Sequence, residues 1–222
     1  MTGRAGTIKG GQVMGFLLWA QERFDGIRHR VDFVAPLLLR LYLVPVFFFA
    51  GSNKWNPFAE NGTLNPAEGL QDVAQWFGNP DWGLGLPAPL LMAVLAWAAE
   101  YVGAICLALG FAVRWVCIPL MVTMVIAATT VHWENGWQAV HDPKSPHAAD
   151  AVHEAVERLS RAKSLLREHG NYDWLTEHGS FVVSNNGIEW AATYFVMLVA
   201  LMFLGGGRFI SIDYWIRRRF HS

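Results

Sequence analysis

Apolar residues along this chain gather into four nearly uninterrupted runs. They are about 34–50 (VAPLLLRLYLVPVFFFA), 89–109 (PLLMAVLAWAAEYVGAICLAL), 115–131 (WVCIPLMVTMVIAATTV) and 188–204 (IEWAATYFVMLVALMFL). A helix crosses the hydrocarbon core of a bilayer with roughly 17–25 such residues, and every run reaches that range. Helices of a soluble bundle would show a polar outer face, which these runs lack. The pattern therefore predicts an all-α integral membrane protein, a four-helix bundle embedded in a lipid bilayer.

Outside the runs the periodicity changes. Val13, Phe16, Leu17, Ala20 and Phe24 recur at helical spacing, followed by Arg23, Arg28 and Arg30. This predicts an N-terminal amphipathic helix at the membrane interface rather than a cleaved leader, since no small-residue cleavage site follows it. From Ala148 to His169, Val152, Val156, Leu159, Ala162 and Leu166 mark one face, and Glu154, Glu157, Arg158, Arg161, Lys163 and Arg167 the other. An extra amphipathic helix is expected there, inside a long loop insert spanning 132–187. The organisation is thus a cytoplasmic arm (1–32), a membrane domain (33–215) and a basic tail (216–222).

Charge adds orientation. Arg4, Lys9, Arg23, Arg28 and Arg30 precede the first run, Arg114 lies between the second and third, and Arg208, Arg217, Arg218 and Arg219 follow the fourth. The two longer loops are poorer in basic residues, so the positive-inside rule places both termini in the cytoplasm, as in a bacterial-type inner membrane. Trp55, Trp133, Trp137 and Trp190 at one set of ends, and Trp115 and Trp215 at the other, suit the headgroup level. With 16% charged residues against about 25% in a soluble domain, and a net charge of −1, a nucleic-acid partner is excluded. Cys106 and Cys117 both lie in apolar runs, which argues against a disulfide framework.

Two ionisable residues interrupt the runs, Arg40 and Glu100. A lone interior charge costs several kcal/mol, so each needs a partner. Counting from the cytoplasmic ends of their runs puts Arg40 about 9 Å deep and Glu100 roughly 14 Å deep. A long arginine side chain spans the remaining gap, so the two are expected to pair. They are the candidate catalytic residues; the alternative is that the pair only fixes helix register. A second constellation sits at the opposite level. Lys54, Trp133 and Glu189 are candidates for binding a cofactor, and His132 with Glu134 for a metal. Interfacial anchoring is the alternative for each. Proline 45 should kink the first span, while Ala99 with Gly103 and Ala104 with Ala108 should let backbones approach closely.

Leu38-Leu39-Arg40-Leu41 with Gly51 and Lys54, then Glu100-Tyr101-Val102-Gly103, Leu107-Ala108-Leu109-Gly110 and Arg114, resemble DoxX-type membrane proteins. The ending Gly205-Gly207-Arg208-Phe209-Ile210-Ser211-Ile212-Asp213 is similar to the closing motif of that family. Residues 131–137 (VHWENGW) and the insert after them look most like its HvfX-type branch, associated with copper-binding peptides. The resemblance implies a four-helix membrane bundle, and links to quinone-dependent redox chemistry in some relatives. Arg40 and Glu100 match recurrent polar positions of the family, whereas the insert at 138–187 departs from its short pattern.

The function expected is a redox-associated membrane component handling a quinone or electron carrier. An arginine would stabilise developing charge on the quinone oxygen, and Glu100 would move the proton. A partner protein would supply the redox centre, and a homo-oligomer fits equally well. The alternative is a non-enzymatic accessory or metal-handling subunit of a copper-peptide maturation pathway. No Walker loop, dinucleotide fingerprint or HExxH occurs in the sequence.

Overall fold

A computed structural model describes residues 5–60, 62–148 and 150–220, except for the side chains of 5–12 and 150. Arg4 and the last two residues of the tail lie outside the described residues, as does the side chain of Lys9. Helix α1 (Ala5–Val31) precedes α2 (Val34–Lys54), and short helices α3 (Pro66–Gly69) and α4 (Gln71–Gly78) follow. Next come α5 (Pro89–Leu109) and α6 (Val113–Asn135). Helices α7 (Asp150–His169) and α8 (Tyr172–Leu175) occupy the insert, then α9 (Glu189–Leu204) and α10 (Ile212–Phe220) close the chain. Helices α2, α5 and α6 are long and apolar enough to cross a membrane, while α9 is apolar but has 16 residues.

These four apolar helices share one core. Leu43 and Phe47 of α2, Ala104 and Leu107 of α5, Val113, Cys117, Leu120 and Met124 of α6, and Leu198 and Leu201 of α9 are all buried together. Their other faces leave Leu38, Phe49, Leu95, Val122, Val196 and Phe203 exposed. Such an outer surface is stable against acyl chains and not against water. Helix α2 continues through Pro45 to Lys54, so the expected kink does not break it. Leu39, Val44 and Phe47 carry the packing around that proline. Close approach occurs at Gly51, where an added Cβ would sit 2.7 Å from the Tyr101 backbone N. That contact fixes the register of α2 against α5.

The segment between α2 and α5 is more than a loop. Leu70 and Phe77 bury against Ala93 of α5, with Val73, Ala74, Trp55 and Trp97 packed around them. Val73 and Phe77 are four apart and Ala74 is three from Phe77, so all three lie on the face of α4 that packs against α5. The insert is anchored at its neck: Asn185 N and Asn186 N donate to Ala139 O, Gly187 N to Gln138 O, and Glu189 N to Trp137 O. Beyond the neck, α7 is the amphipathic helix expected, with Val152 buried and its charged face exposed. Helix α1 leaves Val13, Met14, Phe16, Leu17, Leu18, Trp19, Phe24 and Ile27 exposed. Met14 and Leu18 fall off the expected stripe, so its apolar surface wraps further round than the sequence reading allowed.

Candidate functional site

The two interior charges are answered at opposite ends of the bundle. Arg40 projects from the first third of α2 and is 2% exposed. Its Nε donates to Leu107 O at 2.6 Å, Nη2 to Ala108 O at 2.8 Å, and Nη1 to both Gly206 O and Ile210 O at 2.8 Å. Leu107 and Ala108 lie in the last turn of α5, where a cation is favoured; Leu107 O also accepts from Gly110 N at 3.1 Å. Gly206 and Ile210 belong to the segment after α9. One guanidinium therefore ties three parts of the chain through backbone oxygens alone.

The neighbouring turn completes this knot. Asp213 accepts from Ala112 N at 2.7 Å and Val113 N at 2.9 Å, capping the start of α6. Ser211 Oγ and Asp213 N both donate to Gly110 O. Gly110 sits at φ +66°, and a Cβ there would come within 2.8 Å of the Arg40 guanidinium. Only glycine meets both demands.

Glu100 is 4% exposed and lies on a π-helical stretch, Ala98–Val102. π turns are rare and recur at functional sites. Lys54 Nζ, from the last turn of α2, donates to Glu100 Oε2 at 2.5 Å. The lysine side chain keeps 24% of its surface and the glutamate 5%, so the pair opens on the lysine side. Aromatic residues adjoin both members along the chain, Trp55 after Lys54 and Tyr101 after Glu100. Trp97 stacks on Tyr101 with centroids 5.3 Å apart, and Tyr101 stacks on Phe48 at 5.2 Å. Trp97 Nε1 donates to Trp55 O at 2.8 Å, holding the two tryptophans at 4.6 Å.

The expected Arg40–Glu100 pair is therefore not formed. Arg40 meets α5 at Leu107, seven residues or about 10 Å along the helix from Glu100. The first apolar run ends at residue 50, whereas the helix itself runs on to Lys54. That last turn, held by Gly51 against Tyr101, delivers a nearer cation to Glu100.

The second constellation is divided in the same way. Lys54 belongs to Glu100. His132 Nδ1 bonds Asn186 O at 2.7 Å, and Glu189 Oε2 accepts from Ala139 N at 3.0 Å, so both close the neck of the insert. Trp133 and Glu134 are exposed, and neither side chain makes a hydrogen bond or ion pair among the described residues. No group of three or more His, Cys, Asp or Glu placed to hold a metal occurs among the described residues. Sequence reasoning missed Asp213 and the ring of Trp55, Trp97, Tyr101 and Phe48. Asp213 carried one signal, an acid following a glycine-rich helix end; the ring carried another, the Trp97/Tyr101 spacing of four around a buried acid.

Apolar outer faces, three helices of spanning length and interior charges all satisfied by protein groups define a multi-pass helical membrane protein. The model of the DoxX family matches residues 35–133, from the first turn of α2 to near the end of α6, so this part of the chain is similar to that family. The match takes in Arg40, Lys54 and Glu100. Neither the curated proteins nor the solved structures contain a match to the chain.

Proposed function

We propose that this DoxX-type protein is a redox-associated membrane component that handles a quinone-type carrier at the Lys54–Glu100 pair. The observation that carries the reading is a buried carboxylate paired with a partly exposed lysine beside a stack of planar rings. A quinone ring matches those rings in shape and polarity, and its carbonyl matches the donor that Lys54 offers. When bound, the carrier supplies two-electron chemistry, with electrons coming from a partner redox protein. Lys54 would hold the carbonyl oxygen, and Glu100 would hold or release the proton through Lys54. Arg40, first a candidate for that work, is in this reading the anchor that keeps α5 and the closing segment in place.

In the same reading α9 crosses as a fourth span, α1 and α10 lie at the headgroup level, and both termini face the cytoplasm across an inner membrane. The likeness of 131–137 to the HvfX-type branch would favour copper-peptide work instead. In that second reading the His132 Nδ1 bond to Asn186 O orients the ring and leaves Nε2 open for a metal.

A short-chain quinone titrated into detergent-purified protein, with tryptophan quenching as readout, tests the site. Saturable quenching is expected, weakened roughly tenfold in Lys54→Met and in Glu100→Gln by loss of a charge-assisted bond. Glu154→Gln on exposed α7 serves as control. Equal affinity in all four proteins would refute the site.

A further inference from the structure

At the end of the bundle remote from Lys54 and Glu100 lies a cavity of about 180 Å³, lined by Arg114, Trp115, Gly205, Gly206, Ile216 and Arg217, among others. Arg114 stands in the first turn of α6 and uses one donor, Nη2, on Phe203 O at 3.3 Å. Arg217 stands on α10 and uses Nε on Asp213 O at 3.4 Å. A guanidinium has five donors, so most of those on both residues are left over. Among the described residues neither arginine has an acidic partner. Asp213 also lines the cavity, but both of its carboxylate oxygens are already taken by Ala112 N and Val113 N. The space itself depends on Gly205, where an added Cβ would come 3.1 Å from Arg114 Nε.

Apolar groups stand beside the arginines. Trp115, Leu204, Phe203 and Ile216 are all exposed next to this cavity, on the faces of α6, α9 and α10 that the bundle leaves uncovered. Two guanidinium forks at the mouth of a membrane-facing apolar surface suit one chemistry, a phosphate ester joined to acyl chains. Guanidinium binds phosphate oxygens in pairs, and basic side chains just beyond a span favour anionic lipids. We propose that this cavity is a site for the phosphate of an anionic phosphoglyceride, held by Arg114 and Arg217, with its chains lying along Trp115 and Leu204.

The site shares no residue with the Lys54–Glu100 pair, so either can fail without the other. The test uses full-length protein in nanodiscs of mixed phosphatidylglycerol and phosphatidylcholine, with retained lipid counted by native mass spectrometry after transfer to detergent. Retention of phosphatidylglycerol over phosphatidylcholine is expected, falling roughly tenfold in Arg114→Gln/Arg217→Gln. Arg219→Gln, a basic residue of the same helix outside the cavity, should leave the preference intact. Arg217→Gln alone covers the case in which the double variant does not fold, and should lose part of the preference. Equal retention of the two lipids, or an equal loss in Arg219→Gln, would overturn the site. Displacement of the bound lipid by millimolar inorganic phosphate would assign the cavity to a soluble anion and overturn the lipid.

Discussion

Arg40 and Glu100 are both buried charges in apolar helices, yet the protein answers them by different means. Arg40 is held by four backbone carbonyls, whereas Glu100 is held by one side chain, Lys54. Backbone carbonyls cannot turn away, change charge or be replaced by a ligand, so the first arrangement can only be a fastening. A lysine on a flexible stem can move, and its partly open side admits a competitor for the carboxylate. Two equal violations of the membrane rule thus serve different ends, and geometry rather than residue type tells them apart.

That contrast can be broken most severely at Arg40. Arg40→Leu takes a donor from four backbone carbonyls, and a buried one left unsatisfied costs about 1–3 kcal/mol. The variant is expected to fail in detergent or to show the largest fall in Tm of any single substitution in the chain. Arg40→Lys should recover only part of it, since an ammonium lacks the planar fork that reaches α5 and the closing segment at once. A Tm within a few degrees of wild type for Arg40→Leu would end the fastening reading.

Glu100→Leu leaves Lys54 without its partner and should cost about 2–4 kcal/mol, less than a fully buried pair because the lysine is partly open. The double change Lys54→Met/Glu100→Leu should regain most of that loss in thermal unfolding, as apolar replacement of both partners often does. If the double variant is as unstable as the sum of the singles, the pair is not an isolated unit.

Asp213→Asn should cost roughly 1 kcal/mol, because an amide keeps one acceptor where two backbone N–H groups are now served. The effect should appear as earlier hydrogen exchange at Ala112 and Val113, while Glu100 and Lys54 are untouched. His132→Ala removes a single exposed bond to Asn186 O and should cost about 0.5–1 kcal/mol, read as loosening of the insert in limited proteolysis. A loss as large as that of Glu100→Leu would mean that the neck and the pair are one site after all.

The apolar runs were legible because hydrocarbon imposes one requirement on every residue of a span, and that requirement is one-dimensional. Helix α7 was legible for the same reason, through its alternating faces. Both interior charges announced themselves as anomalies within those runs. Their partners did not. Lys54 lies only four residues beyond the predicted end of the first span, and the whole assignment turned on whether the helix continued that far. The four oxygens around Arg40 belong to Leu107, Ala108, Gly206 and Ile210, where any residue would offer the same carbonyl, so no side-chain pattern could mark them. Pairing by depth also assumed that charges meet charges, which backbone dipoles at helix ends make unnecessary.

The sequence by itself determined that this chain forms apolar helices that exclude water, where they begin and end to within a few residues, and which ions are out of place in them. Only the tertiary structure decided who faces whom. Register between helices depends on one close contact, Gly51 against Tyr101, and on a turn that brings distant segments together at Gly110. Contacts of that kind are set by shape in three dimensions, and they leave no period along the chain.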